Sequence, residues 1–288
     1  MSQVAPETLG SPPSIWWLLV AVAVCLPVCV AVFWRIGRWW VTDLPLPLPL
    51  DRAWSAVPFP AWAGVGLFLA LQLTALVAAV GLSAAMDADA GGEASAEAPV
   101  SPVLMLAHVV PLAVGLAALR AFGPRAHRTV GVRAGGVGTG LRLGVVAFAA
   151  ILPVCVAALI VSVGALRLVE GPVETHPLLE TVQETQEPWT LVLVGVQAIV
   201  LAPVVEEFLY RGVLLWALLR GTGPVAALVA SSALFAVVHA PAEPQGVVPL
   251  FFLGMALAYV AYRTRSLVAP IVAHALFNAL MVGGTMWG

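Results

Sequence analysis

The sequence predicts an all-α protein, a polytopic transmembrane helical bundle of about eight helices. Of its 288 residues, 61% are hydrophobic and only 10% are charged, which is too little polar surface for a water-soluble domain of this size. The apolar residues form long runs, and a run of about 20 such residues is what a helix needs to cross a bilayer. Arginines occupy every second connection between the runs, as the repeated crossing of a membrane requires.

The N-terminal part, residues 1–188, is predicted to contain about four spans. The spans cover residues 14–34, 59–85, 100–122 and 143–166. The first is expected to be a retained span, because its apolar run is too long for a signal-peptide core and no small-residue cleavage pattern follows it. Residues 44–50, LPLPLPL, cannot form a regular hydrogen-bond ladder and are expected to be an extended spacer.

The C-terminal part, residues 189–288, is predicted to form a catalytic core of about four more spans within the same membrane domain. They cover residues 189–220, 225–240, 247–262 and 267–287. As one helix the first of these is about 48 Å long, against a bilayer core of about 30 Å. Pro203 lies inside it, so we expect a kink or break there, or a helix that projects from the membrane.

The charge distribution predicts orientation and location. All thirteen basic residues are arginines, and they fall in connections rather than on one basic face, so nucleic-acid binding is not expected. The intervening connections are acidic, and the positive-inside rule therefore places both termini outside. The bias toward Ala, Val, Gly, Pro and Arg, with no lysine, is typical of a GC-rich bacterial genome. We expect an integral protein of a bacterial cytoplasmic membrane.

Charged side chains interrupt the apolar run at residues 189–220. A charge at bilayer depth costs about 2.5 kcal/mol or more, so such a group usually has partners in the bundle interior and marks function. Glu207 and Arg211 are four residues apart on one helical face and are expected to form a structural ion pair. Glu206 is rotated by about 100° from its neighbour and can face another group.

Three further polar residues, His239, His274 and Asn278, lie in the later spans. Measured from the inner ends of their helices, Glu206 and His239 lie at about 21 Å, His274 at about 12 Å and Asn278 at about 18 Å. The four groups can therefore meet in one layer, and we interpret them as a functional site. His108, in the third predicted span, is interpreted as a hydrogen-bond partner between helices.

Three short segments in this region resemble known motifs. EEFLYR, FAVVH and HALFN match, in order, the patterns EExxxR, FxxxH and HxxxN of the CPBP family, also called the Abi family. This family of intramembrane proteases includes the CAAX prenyl endopeptidases and bacteriocin-processing or immunity proteins. The resemblance extends over about residues 200–279. It implies an endopeptidase acting on membrane-associated or hydrophobic peptides, which would be its partners together with the lipid bilayer.

The resemblance also implies roles for individual residues. Glu206 and His239 would activate a water molecule, and His274 and Asn278 would stabilise the oxyanion. These roles agree with the chemistry of the side chains, because a desolvated carboxylate can act as a base and imidazole and amide N–H groups are suitable oxyanion donors. The neighbouring ion pair would fix the helix and tune the charge of Glu206.

Several alternatives remain open at this stage. Glu206, His239 and His274 would also suit a divalent metal such as zinc, although no cofactor is favoured, because the amide of Asn278 suits an oxyanion better than a metal. A non-catalytic peptide-binding, immunity or scaffold protein is the rival class. A proton-coupled transporter is less favoured, because no repeat with broken helices is visible. The substrate is expected to arrive from the inner side of the membrane or from the lipid.

Overall fold

The computed structural model describes residues 60–89, 105–121, 136–169, 182 and 187–287, which contain helices and no strands. The helices are α1 (Ala61–Asp89), α2 (Leu106–Ala121), α3 (Gly136–Val169), α4 (Pro188–Gly221), α5 (Pro224–Val237), α6 (Val247–Thr264) and α7 (Val268–Trp287). A single 3₁₀ turn, Pro244–Gly246, precedes α6. The predicted all-α bundle is thus confirmed in the described part of the chain. The predicted span at residues 14–34 and the spacer at 44–50 lie outside it.

The helices are suited to a bilayer by length and composition. Five of them, α1, α3, α4, α6 and α7, contain apolar segments of at least 18 residues, with mean hydropathy between 1.5 and 2.8. Helices α2 and α5 are apolar but shorter. Large apolar side chains on α1, such as Leu69, Leu73 and Leu76, are about 60% exposed. An exposed apolar face of this extent fits contact with lipid, and the chain is an integral membrane protein.

The C-terminal helices pack around α3, which contacts both α6 and α7. The approach of α7 to α3 depends on glycines: a Cβ atom at Gly144 would lie 2.6 Å from the Cβ of Val272, and one at Gly140 would lie 2.6 Å from a methyl group of Val268. Small residues at a helix interface are the usual means of close packing within a membrane. Helix α3 therefore forms one wall of the space enclosed by the C-terminal helices.

Helix α4 runs without interruption through Pro203. It contains two π-helical segments, Val196–Leu201 and Phe208–Leu214, separated by the α-helical segment Ala202–Glu207. A proline removes one helical hydrogen bond and clashes with the preceding turn, and the wider π turn before it accommodates both effects. Of the expected alternatives, a kink, a break or a projecting helix, a break at Pro203 is therefore not found. With 34 residues, α4 is about 50 Å long and exceeds the thickness of the bilayer core.

Candidate active site

A cavity of about 200 Å³ lies among α3, α4, the α5–α6 connection, α6 and α7. Its wall is mostly apolar and includes Leu152, Val156 and Leu159 of α3. The polar lining consists of Glu206, His239, Glu243, His274 and Asn278. The structure therefore brings the four residues singled out in the sequence to one space inside the bundle, and their catalytic roles stay predictions.

The Glu207–Arg211 ion pair predicted from the four-residue spacing is present beside this cavity. Both side chains are 0% exposed, and Nη1 of Arg211 donates to Oε1 of Glu207 at 2.6 Å. Nη2 donates to the backbone carbonyl of Gly254 on α6 at 3.2 Å. Because the pair is fully buried and also bonded to α6, it fixes α4 against the neighbouring helix.

His274 connects the two adjacent carboxylates. Its Nδ1 lies 3.0 Å from Oε1 of Glu207, and its Nε2 lies 3.8 Å from Oε2 of Glu206. An ionised carboxylate only accepts hydrogen bonds, so Nδ1 carries a proton and Nε2 faces Glu206. Oε2 of Glu206 and Oε2 of Glu207 are both buried without a hydrogen-bond partner among the described residues. The two glutamates differ in that Oε1 of Glu207 is held by two donors, whereas Glu206 lines the cavity.

His239 lies just beyond the end of α5, and its ring is oriented by the helix itself. Nδ1 is 2.7 Å from the backbone carbonyl of Phe235, one turn earlier. A carbonyl oxygen only accepts, so Nδ1 carries the proton, and Nε2 of the neutral ring keeps its lone pair. His239 can therefore take up a proton at Nε2, which is what a general base requires.

Asn278 is held by a defect in α4 that Pro203 creates. The Nδ2 of Asn278 donates to the carbonyl of Ala198 at 2.8 Å. In a regular α-helix the carbonyl of Ala198 would accept from the N–H of Ala202, but that N–H donates to the carbonyl of Gln197 instead. In a π turn the donor would be the residue five positions after Ala198, which is Pro203 and has no N–H. Because the carbonyl lacks both of these helical partners, it can accept from Asn278, whose amide keeps a second N–H.

Phe235 contacts several of these groups, and sequence reasoning did not assign it a role. Its ring centroid lies 5.0 Å from that of His239 and 5.7 Å from that of His274. The guanidinium of Arg211 lies 4.5 Å from the same centroid, within the range of a cation–π interaction. The only available signal was its position four residues before His239 in the FAVVH segment.

Glu243 is a further cavity residue that the sequence did not single out. It belongs to one of the acidic connections between the predicted spans, and the structure places it in the lining of the cavity. Burial raises the pKa of Glu243, while nearby His239 lowers it. The sequence signal was the spacing of four residues from His239.

His108 of α2 lies in the neighbourhood of Glu206. Helix α2 packs against the Ala202–Glu207 segment of α4, which explains this proximity. Nδ1 of His108 is buried and has no hydrogen-bond partner among the described residues. The predicted hydrogen bond between helices is therefore not found at this nitrogen.

The metal-dependent alternative predicted from the sequence involves Glu206, His239 and His274. Among the described residues, no three His, Cys, Asp or Glu side chains are grouped closely enough to hold one ion. Glu206, His239 and His274 share the cavity without forming such a group. The metal-dependent alternative stays a prediction, and no reaction step below passes through a metal.

Comparison with known families agrees with the motifs. A protein-family model described as Rce1-like, type II CAAX prenyl endopeptidase, matches residues 188–280, from the start of α4 into α7. No curated protein and no solved structure matches the chain significantly. The matched segment contains EEFLYR, FAVVH and HALFN, and it is about a third of the chain. Residues 188–280 are therefore a domain of the Rce1-like family of type II CAAX prenyl endopeptidases, which confirms the CPBP family predicted from the three motifs.

Proposed function

We propose that the protein is an intramembrane endopeptidase that hydrolyses peptide bonds of membrane-associated or hydrophobic substrates with a water molecule activated by Glu206 and His239. One observation carries this proposal: a cavity within the bundle is lined by Glu206, whose side chain is 24% exposed, and by the ring of His239, whose Nε2 has a free lone pair. A carboxylate and an imidazole beside one space supply a base for water and a second group that can carry the proton. The apolar wall suits a hydrophobic peptide segment.

In the proposed reaction, Glu206 removes a proton from water while the oxygen attacks the carbonyl carbon of the scissile bond. The resulting tetrahedral intermediate carries its negative charge on the former carbonyl oxygen. The intermediate then collapses and its C–N bond breaks, while His239 passes the proton held by Glu206 to the leaving amine, so that the carboxylate and the ring return to their starting states. Both products are released without a covalent enzyme intermediate.

The oxyanion needs donors, and the structure limits which form of His274 can supply one. Nδ1 is already used toward Glu207, so Nε2 donates only when the ring is an imidazolium. The carboxylates of Glu206 and Glu207 with the guanidinium of Arg211 carry a net charge of −1, and a protonated His274 neutralises this cluster. Neutrality lowers the free energy of burying charge. The second N–H of Asn278 is the other proposed donor.

The route of the substrate follows from the position of the cavity. Arg220 and Arg263 mark one end of α5 and α6, and His239 and Glu243 lie in the connection at the other end of these helices. Glu206 lies fourteen residues before Arg220 along α4. With arginines inside, Glu206, His239 and Glu243 lie toward the outer half of the bundle, whereas His274 lies nearer its middle. Entry of the substrate from the lipid therefore agrees better with the predicted orientation than entry from the inner side.

The catalytic proposal is tested by Glu206→Ala and His239→Ala in the full chain. Removing a general base lowers the rate by about 10²–10⁴-fold, while folding and substrate binding should be retained. Comparing the membrane proteomes of cells that carry wild-type and Glu206→Ala protein identifies the substrate by its uncleaved form. Wild-type cleavage by either variant contradicts the mechanism, and identical proteomes support the non-catalytic alternative.

Metal dependence is measured separately on purified active protein. The metal-free mechanism predicts no stoichiometric metal and unchanged cleavage after treatment with a chelator. Loss of activity with the chelator, restored by zinc, would instead assign Glu206, His239 and His274 as ligands. This outcome would leave the endopeptidase assignment intact and change only the source of the activated water.

A further inference from the structure

Glu243 shares the cavity with the proposed catalytic residues, yet the mechanism above does not use it. It lies in the turn between α5 and α6, where its N–H donates to the carbonyl of His239 at 2.9 Å. Its own carbonyl accepts from the N–H of Gly246, also at 2.9 Å. These two bonds fix the backbone of Glu243 within the turn that follows His239.

The packing of Gly246 shows that the carboxylate occupies a defined place. A Cβ atom at this glycine would lie 2.8 Å from Cδ and 3.1 Å from Oε2 of Glu243. Any other residue at position 246 would therefore force the carboxylate to move. The glycine leaves room for the side chain of Glu243, which lies against its backbone.

The carboxylate of Glu243 forms no ion pair within the described part of the protein, although its charge interacts with nearby His239. Arg211, a buried cation beside the cavity, is already bound to Glu207. Apart from the thiol of Cys155, the remaining titratable groups of the cavity are Glu206, His239 and His274, which add one more carboxylate and two imidazoles. With His274 as an imidazolium, the two carboxylates still leave the cavity with a net negative charge within an apolar wall.

We propose that Glu243 determines specificity by binding a basic side chain, lysine or arginine, of a substrate whose apolar residues occupy the rest of the cavity. This inference rests on the proposed endopeptidase function and specifies its substrate class. A cation there would pair with a carboxylate that is already positioned and partly dehydrated, and such charge-assisted contacts are stronger than those at an open surface. The apolar wall selects a hydrophobic peptide, and Glu243 selects one that carries a positive charge.

The test uses the full-length protein in lipid nanodiscs and pairs of synthetic apolar peptides. The two peptides of a pair differ at one position, which is lysine in one peptide and norleucine in the other. Norleucine has the same aliphatic chain as lysine without the charge. Successive pairs place this position at different points along the peptide. At the best position, wild-type protein should show a kcat/KM about tenfold higher for the lysine peptide, as expected for a charged hydrogen bond. Glu243→Gln should reduce this ratio to about one.

Two further variants and a control separate charge from folding. Glu243→Asp keeps the charge and should retain a preference for lysine. Gly246→Ala keeps the glutamate but displaces its carboxylate, and should weaken the preference. Glu187→Gln makes the same chemical change at an exposed residue that does not line the cavity, and it should leave the ratio unchanged.

The inference can also fail independently of the catalytic proposal. The same peptide pairs are titrated onto Glu206→Ala protein, where binding does not require cleavage, and the lysine peptide should again bind about tenfold more tightly. If wild-type protein cleaves no peptide but this preference is seen, the endopeptidase proposal fails and the role of Glu243 stands. The role of Glu243 is overturned if the ratio between the lysine and norleucine peptides, in cleavage or in binding, is not changed by Glu243→Gln.

Discussion

Replacing Arg211 with methionine tests whether the buried ion pair holds α4 in the bundle. The paired atoms are 2.6 Å apart and both side chains are 0% exposed, so their attraction is about 6 kcal/mol at an effective dielectric constant of about 20. Desolvation offsets much of this attraction in the folded protein. Removing one partner nevertheless leaves a dehydrated charge, which costs about 3–5 kcal/mol. Since His274 still donates to Glu207, we expect a loss near the lower limit, about 3 kcal/mol.

The free energy of unfolding is measured by titrating SDS into mixed micelles and following helicity. Arg211→Met and Glu207→Gln should each destabilise the protein by about 3 kcal/mol. The double variant leaves neither charge unpaired, so its loss should be clearly smaller than the sum of the two single losses. Losses below about 1 kcal/mol for the single variants, a value typical of exposed pairs, or losses that simply add in the double variant, would refute the reasoning.

Three other outcomes follow from particular contacts. Pro203→Ala supplies an N–H that can bond to the carbonyl of Ala198 and compete with the amide of Asn278, so kcat should fall while the fold is kept. An unchanged kcat contradicts the role of Pro203 in holding Asn278. Gly144→Ala places a Cβ 2.6 Å from a valine of α7 and should destabilise by about 1–3 kcal/mol, whereas Gly138→Ala, with nothing within 4 Å, is the matched control. In a variant without the native cysteines, Ala242→Cys should react with an impermeant maleimide only from the outer side. Labelling from the inner side reverses the predicted orientation.

The features that the sequence predicted well are those set by local spacing. Apolar runs of sufficient length predicted the helices, because the bilayer fixes how many residues a span needs. The ion pair followed from the four-residue interval between Glu207 and Arg211, since helical geometry alone places them on one face. Depth along the helices also indicated that Glu206 and His239 could meet, and both line the cavity.

Features that depend on tertiary contacts were not accessible in the same way. A proline within an apolar run is compatible with a kink, a break or a continuous helix, and the outcome at Pro203 involves a π turn and an amide donated from α7. Glu243 looks like an ordinary acidic residue of a connection, because nothing local indicates that its turn folds back over the cavity. Its position against Gly246 becomes evident only when the chain is folded.

The two adjacent glutamates show how the structural and chemical parts of the site depend on each other. Helical geometry turns them about 100° apart, so Glu207 reaches Arg211 while Glu206 faces the cavity. Glu207 also accepts from Nδ1 of His274, which directs Nε2 of that ring toward Glu206. Arg211 therefore acts on the cavity through Glu207 and His274 without lining it. Its loss should impair both stability and the orientation of the proposed oxyanion donor.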